Sequence, residues 1–304
     1  MKGKMMQKKM IKYVISAAVL AFSLLLGACS GNASSSKTEG VITERDVIAT
    51  TGSGAENTPG ATQNESATGE SGTDEPRAAL TEIVLATFNI KHGAEGLDKV
   101  AQAIYDVSPD IIGLEEVDVG CERSGYYDEP AELAKMAKLG HYAFFKAISL
   151  GEGEYGTAIL SRYPILSFDA FQLESGGGER RSVGHAVVDI DGMKLDVFVT
   201  HLSYEDRTVR ISQMKTIGKM LSGCESYALM GDFNCFDLGE ITNLGGAYYV
   251  NRPDRRYATF RRYSSFSPDN IVVSDNFTEI SSAMSDADCS DHRLLYARFL
   301  LERR

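Results

Sequence analysis

The sequence predicts an α/β fold, with a mixed sheet or paired sheets and helices on the outside. Three observations carry that expectation. Segments of strand and helix period alternate early in residues 81–304, hairpin patterns dominate the middle, and apolar runs repeatedly end in acids, amides and histidines. The chain has 304 residues, 43% of them hydrophobic, enough for one sizeable core or two. No internal repeat is visible.

Lys2, Lys4, Lys8, Lys9 and Lys12 form a basic N-terminal segment, and an apolar run follows from Tyr13 to Leu26. The run is short for a membrane span and ends in the small residues Gly27 and Ala28, which reads as an export signal. Leu26-Gly27-Ala28-Cys29 resembles the lipobox of bacterial lipoproteins. That resemblance implies cleavage before Cys29 and a diacylglycerol thioether on its sulfur. The exported chain would then be lipid-anchored to the outer face of the bacterial cytoplasmic membrane. The other reading is an ordinary signal peptide with a chance cysteine. Residues 30–80 hold no aromatic residue and are dominated by Ser, Thr, Gly, Ala, Asn and Glu. Such a segment cannot bury enough apolar surface to offset its ordering entropy, so it is expected to be a disordered tether. The expected organisation is a lipoprotein signal peptide at 1–29, a linker at 30–80 and one catalytic domain at 81–304.

Within that domain, residues 82–88 read as a strand ending at Asn89. Leu97, Val100, Ala101, Ile104 and Val107 recur at helical spacing, and Ser108-Pro109 closes the helix. Residues 110–114 form a second strand that ends at Glu115-Glu116. Pro130 begins a short helix that Gly140 follows. Residues 156–161 are a strand, and Ser175-Gly176-Gly177-Gly178 is a loop. Residues 183–190 and 194–200 are strands joined by Asp191-Gly192, a strong hairpin signal. The second of them ends at His201. Residues 206–221 read as a helix with Val209, Met214, Ile217 and Leu221 inward. Tyr227-Ala228-Leu229-Met230 is a buried strand that Gly231 breaks, so that Asp232 and Asn234 project into the loop beyond. Residues 271–273 and 294–300 are short strands.

A carboxylate and a carboxamide two residues apart suit a hard cation, a phosphoryl oxygen or an attacking water. Asp and Asn are also ordinary turn formers. The pattern gains force by repetition, because Asn89, Glu116, His201, Asp269 with Asn270, and Asp291-His292 also sit at strand ends. Formal net charge is −11, and residues 81–304 alone give 23 basic against 34 acidic residues, again −11. A polyanion-binding module is ordinarily basic. Either the acidity serves solubility, or a phosphate substrate is brought in with a metal that offsets repulsion. Cys121, Cys224, Cys235 and Cys289 are scattered, form no CxxC pattern, and are expected to be free buried thiols.

The chain resembles the endonuclease/exonuclease/phosphatase superfamily. The resemblance rests on Thr87-Phe88-Asn89-Ile90, Gly113-Leu114-Glu115-Glu116-Val117, Gly156 through Arg162, Val199-Thr200-His201-Leu202, Gly231-Asp232-Phe233-Asn234, Thr259-Phe260, Pro268-Asp269-Asn270-Ile271 and Ser290-Asp291-His292, in family order. It implies a four-layer α/β/β/α sandwich of two packed mixed β-sheets. It also implies hydrolysis of a phosphoester by direct attack of water on phosphorus, with Mg²⁺, or Mn²⁺ in its place, as cofactor. By the same resemblance Glu116 is a metal ligand, with Asn89 beside it and Asp291 as a further one. His292 is the catalytic histidine, oriented by Asp269. Asp232 and Asn234 position the nucleophile and the phosphate. His201 contacts the phosphate or assists the leaving group.

Three positions depart from the family. Glu115 stands where glutamine is usual and would add negative charge beside the metal. Thr157 stands where many members have asparagine, and Asn270 where an aromatic or histidine often follows the aspartate. His92 is a rim candidate, while His141 and His185 read as packing or surface residues. Arg180 and Arg181 follow the glycine loop and either hold a substrate phosphate or form a solvated pair; Arg181 is the substrate-binding candidate. Arg255, Arg256, Arg261 and Arg262 form a basic cluster before Asp269. The leading expectation is a nuclease-like phosphodiesterase. A phospholipid, sphingomyelin or inositol-phosphate hydrolase is the alternative, and a catalytically dead surface-binding domain is the reading from another class. No protein partner is evident.

Overall fold

A computed structural model of the chain describes residues 80–246 and 248–304. The expected signal peptide, the lipidated Cys29 and the expected tether up to residue 79 lie outside the described residues. The described strands form two six-stranded mixed sheets. The first holds β1 (Leu80–Asn89), β2 (Ile111–Val119), β3 (His141–Leu150), β4 (Gly153–Ser161), β11 (Phe277–Met284) and β12 (Leu295–Glu302), in the order β11-β12-β1-β2-β4-β3. The second holds β5 (Ile165–Gln172), β6 (Ser182–Ile190), β7 (Met193–His201), β8 (Tyr227–Asp232), β9 (Tyr248–Tyr249) and β10 (Asp269–Val273), in the order β5-β6-β7-β8-β10-β9. Helices α1 (Leu97–Val107) and α2 (Glu129–Met136) cover the first sheet. Helix α3 (Arg207–Leu221) and a 3-10 segment, Leu238–Leu244, cover the second. This is the four-layer α/β/β/α sandwich that the family resemblance implies, and it selects paired sheets over a single mixed sheet.

Strand period explains the layering, because successive side chains point to opposite faces. In β1, Ile83 and Leu85 enter the core between the sheets, while Ala86 and Phe88 pack under the helices. In β8, Ala228 and Met230 face the first sheet and Leu229 faces α3. The sheets pack closely at Gly113, where an added Cβ would lie 3.0 Å from both Met230 and Val199 side-chain atoms. The Asp191-Gly192 hairpin forms as expected, with both residues at positive φ, 51° and 89°. Ser108 ends α1 in the left-handed conformation, which keeps the pre-proline residue out of the α region.

Several expectations need correction. Gly231 does not break β8, which runs to Asp232. Glycine is needed there for space, since a Cβ would lie 2.2 Å from the Thr200 carbonyl oxygen of β7. β2 does not end at Glu115-Glu116 but continues to Val119 through a bulge against β4. In α3, Val209 is half-buried while Arg210 and Gln213 are buried. β5, β9 and β11 have no counterpart in the sequence reading; β5 is an edge strand with all but its first residue exposed, so burial left no alternation to read. Cys121, Cys235 and Cys289 are free and buried, and Cys224 is free and half-buried.

The close approach at Gly231 yields a test. Gly231→Ala must push β7 and β8 apart, and it should cost about 1–3 kcal/mol of stability in urea unfolding.

Candidate active site

The site is the point where the inward rows of both sheets turn from apolar to polar. In β7 the row Val197, Val199 continues to His201, and in β8 the row Ala228, Met230 continues to Asp232. In β10 the row begins at Asp269, and in β1 the row Ile83, Leu85 continues to Thr87 and Asn89. Register then aligns them: His201 pairs with Asp232 across the parallel β7–β8 ladder, and Asp269 pairs with Asp232 across the antiparallel β8–β10 ladder. Asn89 reaches across from the other sheet, its Nδ2 donating to Asp232 Oδ2 at 3.2 Å and to Glu116 Oε1 at 3.0 Å.

Glu116 owes its direction to the β2 bulge. It adopts φ 55° between Glu115 and Val117, so its carboxylate leaves the regular alternation and turns toward Asn89. Lys91, His92 and Asn234 also have positive φ, which gathers backbone strain around one site. Asn234 Nδ2 donates to the Leu202 carbonyl at 3.0 Å, and its amide donates to Asp232 Oδ1 at 2.9 Å. Ser290 Oγ donates to the Asn89 carbonyl and accepts from the His292 amide, which ties the His292 loop to β1.

His292 and Asp269 form a dyad, with Nδ1 2.9 Å from Asp269 Oδ2. The other ring nitrogen, Nε2, faces Asp232 Oδ2 at 3.8 Å. Burial alone would lower the His292 pKa, but the charge and hydrogen bond of Asp269, followed by Asp232, raise it to about 10. Asp232 is raised to about 7 by burial and by the Asp269 charge, with His292 opposing. His201 behaves oppositely: burial, then the Arg181 and His292 charges, hold it well below the usual histidine range. Its tautomer follows from chemistry. Arg181 Nη1 lies 3.1 Å from His201 Nδ1, and a guanidinium can only donate. Nδ1 therefore accepts, and the proton sits on Nε2, 3.6 Å from Asp232 Oδ2.

The structure thus brings Asn89, Glu116, His201, Asp232, Asn234, Asp269 and His292 together at one end of the sandwich. Asp291 pairs with Lys91 at 3.2 Å. Arg181 is not part of a solvated pair. It is 3% exposed, and it holds His201 and Glu179 from behind while Arg180 stays exposed. Burial and the Asp269 and Asp232 charges raise the Glu115 carboxyl well above the ordinary range. It accepts from Thr87 Oγ1 at 2.9 Å and points into the interior. Asn270 turns from the site and braces the Asn251 loop. His185 pairs with Asp196 and His141 is exposed, both outside the constellation.

Sequence reasoning did not single out Arg210, Glu240 or Glu129. Buried Arg210 bonds Glu240 and the Ser203 carbonyl, and so fixes the loop after His201. Glu129, at the start of α2, accepts from the Asp118 amide just past the bulge. No local pattern marks these residues, since their partners lie on other elements.

For a divalent cation, the fit rests on the donor chemistry. Glu116 and Asp232, joined through Asn89, would offer carboxylate oxygens, with Asp291, paired with Lys91, as a further candidate, and hard oxygen donors suit Mg²⁺. The Asn89 amide bridges Glu116 and Asp232, neutralising oxygens that a cation would neutralise, and turning that amide would offer its own oxygen. Asp232, Asp269 and His292 also place ligand atoms within 4.8 Å of one another. Buried polar atoms without partners, Glu115 Oε2, its cross-strand neighbour Thr157 Oγ1, and Arg181 Nε, add polar capacity around the same site.

The family model for the endonuclease/exonuclease/phosphatase family matches residues 86–292, from β1 to the catalytic-histidine candidate. The chain belongs to that family. Its members are hydrolases acting on phosphoester bonds. Protein cwh43 of Schizosaccharomyces pombe is 30% identical over 149 residues, 47% of this chain but 14% of that protein. Among solved structures, an endonuclease/exonuclease/phosphatase from Beutenbergia cavernae superposes with a TM-score of 0.64 at 19% identity, covering 74% of this chain and 72% of the other. A mannosyl-6-phosphatase from Bacteroides thetaiotaomicron gives 0.55 at 16%, covering 71% and 99%. At these identities the likeness is one of fold.

The buried brace under the bulge gives a pH test. Burial pushes the Glu129 carboxyl up to about 8, only partly offset by the Asp118 amide and Arg123. The folded state then binds this proton more tightly than the unfolded state. This group's contribution is therefore most favourable below about pH 4.5 and declines as pH rises to about 8. Glu129→Gln keeps an acceptor for the Asp118 amide and removes the titration. Urea unfolding should show the variant gaining on the parent across that window, by about 2–4 kcal/mol at pH 8.

Proposed function

We propose that this chain is a phosphodiesterase, nuclease-like, that uses Mg²⁺ or Mn²⁺ and hydrolyses its substrate by direct attack of water on phosphorus. The observation that carries the reading is the convergence of two oriented histidines on one buried carboxylate, Asp232: His201 is held through Nδ1 by Arg181, and His292 through Nδ1 by Asp269. His201 holds its proton on Nε2 and can donate it to a phosphoryl or leaving-group oxygen. His292, fixed through Nδ1 by Asp269, presents Nε2 to the space above Asp232. Asp232 and Asn234 orient the attacking water and a phosphoryl oxygen. Glu116 and Asp291, with Asn89, would hold the cation. Once bound, the ion supplies charge neutralisation to the phosphoryl oxygens and lowers the pKa of water and acids around it. Proton transfer between His292 and Asp232 then needs little rearrangement.

The test uses the chain with Mg²⁺ and three substrates: supercoiled plasmid DNA, sphingomyelin or phosphatidylinositol vesicles, and soluble sugar or inositol phosphates. The sugar phosphate arm is included because one structural neighbour is a mannosyl-6-phosphatase. DNA nicking should appear, vanish with EDTA, and fall by roughly 10²–10⁴ in His292→Ala. Release of headgroup or phosphate without nicking overturns the phosphodiester reading in favour of a lipid or monoester hydrolase. Silence on every substrate favours a binding domain.

We also propose export and lipid anchoring through Cys29, which rests on the basic segment, the apolar run and the Leu26–Cys29 motif. Cells expressing the chain should incorporate radiolabelled palmitate into it and retain it with the membrane. Cys29→Ser should abolish the label; unchanged labelling refutes the anchor.

A further inference from the structure

A row of aromatic rings runs from the candidate catalytic histidine out to the surface. Phe260 meets the His292 ring edge-to-face, with centroids 5.1 Å apart. Phe266 meets Phe260 edge-to-face at 5.6 Å. Phe236 lies stacked on Phe266 at 4.6 Å, and Tyr263 stacked on Phe260 at 5.8 Å. The row is tied to the site at both ends. Phe260 forms an isolated β-bridge with His292, and Phe236 follows Asn234 by two residues. It is not core: Phe236 is 49% exposed and Tyr263 38% exposed, whereas Phe233 on the same loop is fully buried under α3. Single exposed apolar residues are ordinary, but stacked rings contiguous with a reaction centre leave flat faces open beside it.

Charge distinguishes this rim from the rest of an acidic chain. Between residues 252 and 263 stand five arginines and one aspartate, a local balance of +4. Most of these arginines are already used. Arg252 pairs with Asp254, Arg255 with Glu279, Arg261 bonds the Ser290 and Ala287 carbonyls, and Arg256 bonds the Ser265 carbonyl. Arg262, beside Tyr263, is exposed and has no ion pair or hydrogen bond to the described residues. Aromatic faces next to an unpaired guanidinium match a strand of nucleotides, in which bases stack and phosphates are neutralised. An acyl chain would gain from the apolar area but would use neither the flat stacked geometry nor the cation.

We infer that Phe236, Phe266, Phe260 and Tyr263 form a stacking subsite for an unpaired nucleobase adjoining the scissile phosphate, with Arg262 meeting a neighbouring phosphate. This rests on the phosphodiesterase reading and assigns its substrate class as single-stranded nucleic acid.

The experiment uses the full chain with Mg²⁺ and a short single-stranded oligonucleotide that carries 2-aminopurine and cleavage-resistant phosphorothioate linkages. The chain contains no Trp, so the fluorescent base is read against a dark background. Stacking should quench it on binding. Phe236→Ala and Phe236→Leu should both weaken binding about tenfold and lose the quench, since leucine keeps apolar area but has no π face. Phe236 is half exposed, so neither change empties the core. In parallel, cleavage of an ordinary oligonucleotide is compared with that of an oligomer of abasic tetrahydrofuran units. The parent should show a KM about tenfold lower for the base-bearing strand, and both variants should erase that preference. Quenching and preference that survive in Phe236→Leu overturn the stacking subsite. So does vesicle binding that Phe236→Ala abolishes and Phe236→Leu keeps, in the absence of quenching, which would assign the rim to a bilayer. If neither oligomer is cut, the phosphodiesterase reading fails by itself; quenching that Phe236→Leu loses would still uphold the subsite.

Discussion

Asp232 is the interaction on which the site depends. A carboxylate buried this deeply resists ionisation unless its neighbours compensate. Here the compensation comes from three directions: the Asn89 side-chain amide from the opposite sheet, the His292 ring held by Asp269, and the backbone N–H of Asn234 from its own loop. Asp269 works against it by repulsion and for it through the imidazolium it sustains. Each contributor sits on a different element. Moving either sheet by a fraction of a hydrogen-bond length would therefore alter the protonation of the whole group.

The scaffold holds that arrangement by close approach of backbone rather than by bulk. Gly231 lets β7 and β8 pass where a Cβ could not fit, and at Gly113 a Cβ would press on Met230 and Val199 of the facing sheet. The bulge in β2 spends one residue of regular pairing to send Glu115 and Glu116 to different environments. Glu115 goes into the interior, bonded to Thr87 and with its carboxyl pKa raised by burial, and Glu116 goes outward to Asn89. Two adjacent, identical residues thereby acquire different chemistry from a single backbone irregularity. Behind them, Glu129 and the Arg210–Glu240 pair secure the loops on which the polar row ends.

Electrostatics divides the surface of an acidic chain. Arginines concentrate in the segment that precedes Asp269, and most of them are spent on local carboxylates and carbonyls. They shape a loop and leave little free charge. That loop carries Phe260 against the His292 ring and Phe266 against Phe260.

The order of elements and the identity of the polar strand ends were legible in the sequence, because period-2 and period-3.6 patterns survive wherever one face is buried. Asn89, His201, Asp232 and Asp269 could be picked out in this way, and the family resemblance rested on the same stretches. β5 and β11 were not legible, because exposed edge strands carry no alternation. Arg181 read as a substrate-binding candidate, and the structure buries it against His201 and Glu179. Glu115 read as an extra charge, yet burial, with the Asp269 and Asp232 charges beside it, raises its carboxyl well above the ordinary range. The sequence by itself determined which chemical groups are present and which strand ends carry them, since those follow from local patterning. Only the tertiary structure decided which of these groups share one dielectric environment, which way each carboxylate points, and which hold protons. Those properties depend on distances between residues far apart in the chain, and no local pattern encodes them.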